Sequence, residues 1–378
     1  MSNFESKFRL EIVVIAIFVA FNIWHISLRG IWNPISVIDT LHLSPEVAKA
    51  ARSLDNNIQS SSKPYDGQYS YVIALDPLLN KKTWVPLLDQ PIYRYRRIFY
   101  PLLSRILSLN QIKSLPYALL LVNLASFIAG LFIVRKLAQK NKWSSWVGLA
   151  FAANTGLIYC VFGSMGEPLG LALGLGGIYS FLEKRLVLSY SLFSLAILTR
   201  ETYVLIPIAV LSWAVMYENM KIRSALGALV MIVMPSMCWN VFILLRFQNY
   251  VIPPYVDQWP ASLGRGRFSL PFVAFWQETF FGIMHLTTRM ELKRTVSISV
   301  VATFACLFSF FYYKKKPSLW GLLALSQALF VSMIRGDIWN YHASSSRQVI
   351  PLFLFIYIWM FDELSKVKCS RSFPRQLG

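Results

Sequence analysis

The sequence is poor in acid. Only 18 Asp and Glu stand against 37 Lys and Arg, a formal net charge of +19. No basic stretch forms a nucleic-acid motif, so nucleic acid is not expected as a partner. The basic residues fit cytoplasmic loops held against anionic lipid. Cysteine is scarce too: Cys160, Cys238, Cys306 and Cys369 lie in apolar runs or the tail, with no CxxC. That excludes a disulfide framework and a cysteine metal site. The four histidines, His25, His42, His285 and His342, are far apart and form no HxxxH. No metal ligand set is expected, a divalent cation is not indicated, and no cofactor is called for. An internal repeat is missing, which weakens a transporter built from repeats. So are a cytoplasmic nucleotide-sugar domain and a glycine-rich phosphate loop, which argues against a nucleotide donor on the inner face.

What the chain has is apolar residues. Of 378 residues 56% are hydrophobic, and the mean hydropathy is +0.49. Hydrophobic runs recur to the end of the sequence. The class is an all-α polytopic membrane protein. A span takes about 20 apolar residues. The candidates are Leu10–Leu28, Leu115–Val134, Ser224–Leu245, Thr295–Tyr312, Ser318–Ile334 and the shorter Val349–Phe361. Leu10–Leu28 follows Lys7 and Arg9 like a signal peptide. It lacks a clear small-residue cleavage site, so it reads as an uncleaved first helix.

Basic clusters set the topology. They are Arg135, Lys136, Lys140 and Lys142; Lys184 and Arg185; Lys221 and Arg223; Lys314–Lys316; and the tail from Lys366. With all of them cytoplasmic, each stretch between them crosses an even number of times. Trp143–Glu183 becomes a hairpin with its tip at Gly163–Pro168, and Leu186–Tyr217 another with its tip at Thr199–Thr202. Ser269–Leu286 carries Gln277, Glu278 and His285 and reads as interfacial or re-entrant. The expectation is about ten spans in a single membrane domain over residues 1–378, both termini cytoplasmic. Extracytoplasmic loops cover 29–114, with interfacial helices, and 246–294; a cytoplasmic tail covers 362–378.

This topology gathers ionisable residues on the outer face. Asp66 sits in the first loop. Glu167, the Arg200–Glu201 pair, and Arg335, Asp337 and Arg347 sit at later tips. A carboxylate at a tight tip between apolar arms is costly without a partner. Each has a plainer reading. Asp66 caps the helix that starts at Gly67, and that helix, Gln68–Leu75, lies on the membrane. Glu167 merely precedes a helix-starting Pro168. Arg200 and Glu201 pair only with each other. Arg335 and Arg347 anchor helix ends at the interface.

The loop strings are YDGQYSYVIALDP from Tyr65 and YRYRRIFYPLL from Tyr93; later come GEPLGLAL from Gly166, LTRET from Leu198 and SSSRQVIPLFL from Ser344. Their order resembles the GT-C superfamily of membrane glycosyltransferases. It is similar to bacterial proteins of cell-surface glycopolymer formation and to PIG-V-like mannosyltransferases. The resemblance implies a bundle with a large first outer loop and transfer of a hexose, mannose among the candidates, from a polyprenyl-phosphate donor. The acceptor would be a glycan, lipid or protein, and the anomeric carbon would invert. It implies the bacterial plasma membrane, or the endoplasmic reticulum in a eukaryote. Asp66 and Glu167 are then the catalytic candidates, and Arg347, Arg335 and Arg200 the donor-phosphate candidates. Glu201, Asp337, Tyr65 and Arg97 are further site candidates. The chain departs from members with paired acids in the first loop, since Gly67 follows Asp66.

One acid suits this chemistry. Glycoside hydrolysis uses two carboxyl groups because a poor leaving group needs a proton. A lipid phosphate leaves as an anion, so the enzyme needs one base for the acceptor hydroxyl and cations for the phosphate. Guanidinium matches phosphate geometry. Two other classes use the same face: a transporter or flippase for a lipid-linked glycan, and a non-catalytic scaffold of a glycan-assembly complex.

Overall fold

A computed structural model describes residues 45–52, 66–80, 83–144, 146–248, 289–334 and 347–371. Every regular element among them is helical. In chain order these are α1 (Pro45–Arg52), α2 (Gly67–Leu75), α3 (Pro91–Tyr95), α4 (Phe99–Leu107), α5 (Leu115–Lys140), α6 (Val147–Ala152) and α7 (Thr155–Phe162). There follow α8 (Glu167–Leu182), α9 (Leu186–Thr199), α10 (Leu205–Tyr217), α11 (Ile222–Phe247), α12 (Arg289–Lys315), α13 (Leu319–Met333) and α14 (Ile350–Arg371). Short 3₁₀ turns cover Val85–Leu87 and Glu201–Val204.

Among the described residues two helices, α5 and α11, are long and apolar enough to cross a membrane. Each has 26 residues, roughly 39 Å at 1.5 Å per residue. The helices α8, α9, α10 and α13 are apolar but have only 13 to 16 residues. The expected run Leu10–Leu28, the segment Ser269–Leu286, and Tyr65, Arg335 and Asp337 lie outside the described residues.

Contacts divide the chain into two units. A loop-bearing unit takes Phe21–Gly130 and Leu157–Gly266; a C-terminal unit takes Met1–Ala20, Leu131–Gly156 and Arg267–Gly378. In the loop-bearing unit α8 and α9 form the main antiparallel pair, and α11 packs on α9. The turn between α8 and α9 runs through Lys184, in the left-handed region at φ 59°. Lys184 Nζ pairs with Glu218 Oε2 at 2.9 Å, so the basic turn lies beside the end of α10. The opposite ends of α8 and α9 carry Glu167 and Arg200.

In the C-terminal unit α13 packs on α12 and α14. Lys316 pairs with Glu363 at 3.3 Å, and Lys366 reaches Asp362 and Glu363 at 2.8 Å. These spacings let α14 run for 22 residues, well past the apolar stretch that ends at Phe361. The Lys314–Lys316 turn and the start of the tail therefore share one end of this unit.

One expectation is corrected. The segment Gln68–Leu75 does not lie on a surface. Of the nine residues of α2 six are buried, Gly67, Gln68, Tyr71, Val72, Ile73 and Ala74. Its apolar side chains have no one-sided period, and a helix that is apolar all round is a buried one. Tyr71, Val72 and Ala74 join Tyr95, Tyr100 and Leu119 in one core. The first arm of the Trp143–Glu183 hairpin is made of two helices. It breaks between α6 and α7 at Ala153-Asn154. Asn competes for backbone hydrogen bonds and weakens a helix interior; Asn154 Nδ2 donates instead to the Ile350 carbonyl at 3.4 Å.

Candidate functional site

Three separated segments meet at one end of the loop-bearing unit: the first-loop helices, the tip before α8 and the tip after α9. The close approach at Gly67 brings the first two together. A Cβ built there would sit 2.0 Å from the Gly163 carbonyl oxygen. Only glycine lets α2 start against that tip. The tip itself turns through Ser164, at φ 52°, into Glu167-Pro168, with proline in the first turn of α8 where its missing N–H costs nothing. Gly170 gives room to the Tyr203 ring, and the Tyr203 hydroxyl donates to the Glu167 carbonyl at 2.9 Å. That bond ties the α9–α10 tip to the start of α8.

The arginine string is anchored just as firmly. The Tyr95 hydroxyl donates to the Asp76 carbonyl at 3.0 Å, and Trp239 Nε1 donates to the Tyr95 carbonyl at 2.8 Å. The Tyr100 hydroxyl donates to the Leu119 carbonyl at 2.9 Å and accepts from Asn123 Nδ2 at 3.0 Å. Asn123 Nδ2 also reaches the Cys160 and Val161 carbonyls. Arg94 and Arg97 thus project from a short stretch fixed at both ends.

Their partners are carboxylates. Arg94 makes a fork on Asp89, Nε to Oδ1 and Nη2 to Oδ2, both 2.8 Å, and Nη2 also reaches Asp66 Oδ1 at 3.1 Å. Its guanidinium stacks 4.0 Å from the centre of the Tyr69 ring. Arg97 makes a second fork on Glu201, at 2.9 and 2.7 Å, and donates to the Tyr93 hydroxyl. Arg200 pairs with Glu167, both side chains 6% exposed. Asp66 has the left-over geometry of a helix start. Its backbone is already helical, at φ −56° and ψ −24°, and its side chain makes no capping bond. The capping reading of Asp66 is therefore wrong: Arg94 takes the carboxylate.

The charges act on one another. Burial would lower the affinity of Arg94 for its proton, yet Asp66 and Asp89 outweigh that and raise its pKa. Arg97 is raised in the same way by Glu201, with Arg94 working against it. Burial pushes the Glu201 carboxyl up, but Arg97, with Arg200 behind it, holds it down at about 2. Burial, with the Asp89 charge second, pushes the Tyr69 phenol up to about 12. Among the described residues Asp66, Asp89, Glu167 and Glu201 face Arg94, Arg97 and Arg200 in these ion pairs.

Among the sequence candidates, Asp66, Arg97, Glu167, Arg200 and Glu201 all fall in this cluster. The expected pairing of Arg200 with Glu201 does not form as such: Arg200 is extended, at φ −160° and ψ 124°, which sends it to Glu167 and leaves Glu201 to Arg97. Arg347 is buried in the C-terminal unit. Sequence reasoning missed Arg94, Asp89 and Tyr69 as site residues. The signal was present in the YRYRRIFYPLL string, which holds Arg94 three residues before the candidate Arg97. No group of three or more His, Cys, Asp or Glu among the described residues could hold a metal ion. Comparison with protein-family models, with curated proteins and with solved structures finds no match for this chain.

Proposed function

We propose that this chain is a multi-pass, GT-C-like glycosyltransferase that takes a sugar from a polyprenyl-phosphate donor on the extracytoplasmic face. Asp66 is the general base that accepts the proton of the acceptor hydroxyl. The observation that carries the reading is the side chain of Asp66: it does not cap α2 and is 25% exposed, at one end of a part-buried charge cluster. A proton acceptor has to be both held and reachable. Arg94 holds it, and the partial exposure leaves it reachable by an acceptor.

Glu167 and Arg200 act as positioning residues here, since each has the other as partner within the protein interior. The forks of Arg94 and Arg97 are likewise taken by carboxylates. Arg347 and Arg335 stay the donor-phosphate candidates, on the sequence resemblance alone. About ten spans, with the cluster outside and both termini cytoplasmic, belong to the same proposal. A second reading, a non-catalytic scaffold, is favoured by the internal pairing of all three guanidiniums.

Asp66→Asn separates the two. Arg94 keeps its fork on Asp89, so the fold persists. As a base Asp66 is worth roughly 10²–10⁴-fold in turnover. Transfer from a synthetic polyprenyl-phosphate sugar by purified protein should fall by that factor, with donor binding nearly intact. Arg347→Lys keeps the charge and loses the fork, and should mainly weaken donor binding. Near-normal turnover in Asp66→Asn removes Asp66 as the base and favours the scaffold.

A further inference from the structure

The far end of α2 faces a different feature. Asp66 precedes that helix and Asp76 follows its last residue, so the two lie roughly 15 Å apart along the axis. At the Asp76 end is a cleft of about 730 Å³. Its polar lining includes Asp76, Asn80, Thr83, Arg105 and Asn110, and Trp84 supplies an aromatic wall. A volume of this size takes a ligand of one or two rings.

Arg105 is the unusual residue. Unlike Arg94, Arg97 and Arg200 it has no carboxylate partner among the described residues. Its Nε donates to Asn110 Oδ1 at 3.0 Å, while Nη1 is buried with no acceptor among them. A buried donor without an acceptor is costly, more so on a cation. The turn that holds it is itself strained. Leu109 and Asn110 both adopt positive φ, 52° and 59°, and Leu109 is 78% exposed. This turn brings Asn110 back onto Arg105 and fixes the guanidinium by its Nε. Across the cleft, Asp76 is an acceptor whose Oδ1 takes the Asn80 backbone N–H at 2.9 Å.

We propose that this cleft binds a sugar that carries an oxyanion, a phosphate or a carboxylate. Arg105, a residue of the cleft wall, takes the oxyanion. Asp76, Asn80 and Thr83 face the hydroxyls, and Trp84 faces the ring. A bare anion would satisfy Arg105 but would meet the Asp76 carboxylate with nothing to donate. A neutral sugar would leave Arg105 unpaired. The inference does not need Asp66 to be a base.

The test is equilibrium binding to the purified full chain in neutral detergent, with glucose 6-phosphate, glucose and inorganic phosphate as probes. Glucose 6-phosphate should bind tightest of the three. Arg105→Gln should weaken it about 10- to 100-fold, the worth of a charge-assisted hydrogen bond, and leave glucose unchanged. Arg105→Lys, which keeps the charge, should fall between and serves if the glutamine variant does not accumulate. Asp66→Asn should bind glucose 6-phosphate like the wild type, which keeps this site's test apart from that of the proposed base. Unchanged binding in Arg105→Gln, or inorganic phosphate bound as tightly as the sugar phosphate, overturns the proposal. A lipid source is tested by competition: displacement of glucose 6-phosphate by phosphatidylglycerol but not phosphatidylcholine in nanodiscs assigns the oxyanion to a headgroup and overturns the saccharide.

Discussion

The Glu167–Arg200 pair is the place where a single atom change has the largest expected consequence. Both side chains are 6% exposed, and Arg200 sits at the break between α9 and the Glu201–Val204 turn. Glu167→Gln keeps the shape and removes one charge. The guanidinium then stays buried without its carboxylate, which costs about 3–5 kcal/mol when one partner of a buried pair is removed. Glu201 is within electrostatic reach of Arg200 but is itself committed to Arg97, so the lower end, about 3 kcal/mol, is the expectation. If the loop-bearing unit melts as one cooperative body, that corresponds to a fall of about 6–12 °C in melting temperature. Replacing both partners by neutral residues of similar volume is often near neutral. Glu167→Gln with Arg200→Met should therefore recover most of the loss. The assay is a thermal melt of detergent-purified protein at one scan rate, since such transitions are often irreversible. A single variant that melts with the wild type, or a double variant that melts lower than the single, refutes the argument. Residual transfer activity of Glu167→Gln should track the amount of folded protein, as a pair that only holds the hairpin tips requires.

Gly67→Ala should lower abundance and melting temperature through the clash with the Gly163 carbonyl, whereas Gly227→Ala, with nothing within 4 Å, should be neutral or stabilise by about 0.4–1 kcal/mol. Because the Glu201 carboxyl is depressed to about 2 in the folded state, its contribution is fully present above the ordinary carboxylate range and is lost as pH falls from about 4.5 toward 2. Melting temperature should drop across that window, and Glu201→Gln should flatten the drop; an equal slope in both would sink the assignment. Asn123→Ala removes the donor shared by Tyr100, Cys160 and Val161 and should cost about 1–3 kcal/mol by denaturant or thermal unfolding. Cysteines placed singly at 66, 167 and 201 in a cysteine-free background should all label with an impermeant thiol reagent from one side, and labelling from opposite sides would break the proposed topology.

The helical class, the long apolar helices α5 and α11, and the two hairpin tips were legible because they depend on local properties. Apolar length, glycine and proline breaks and runs of lysine and arginine act over a few residues. The tip at Gly163–Pro168 falls where the left-handed Ser164 and the helix-starting Pro168 put it. The gathering of Asp66, Glu167, Arg200 and Glu201 was also legible, as a consequence of placing every basic cluster at the other end. What the sequence by itself left open was which charge meets which. Arg200 and Glu201 are neighbours in the chain, and nothing local separates them. The extended backbone at Arg200, set by packing of α9 against α8, turns one inward to Glu167 and leaves the other to Arg97. In the same way the residues of α2 do not say which elements cover it. Its burial, and the refusal of Asp66 to cap it, are decided by the glycine contact at residue 163 and by Arg94, which is 28 residues away in the chain. Pairing across such distances depends on tertiary packing, and residue spacing carries almost no record of it.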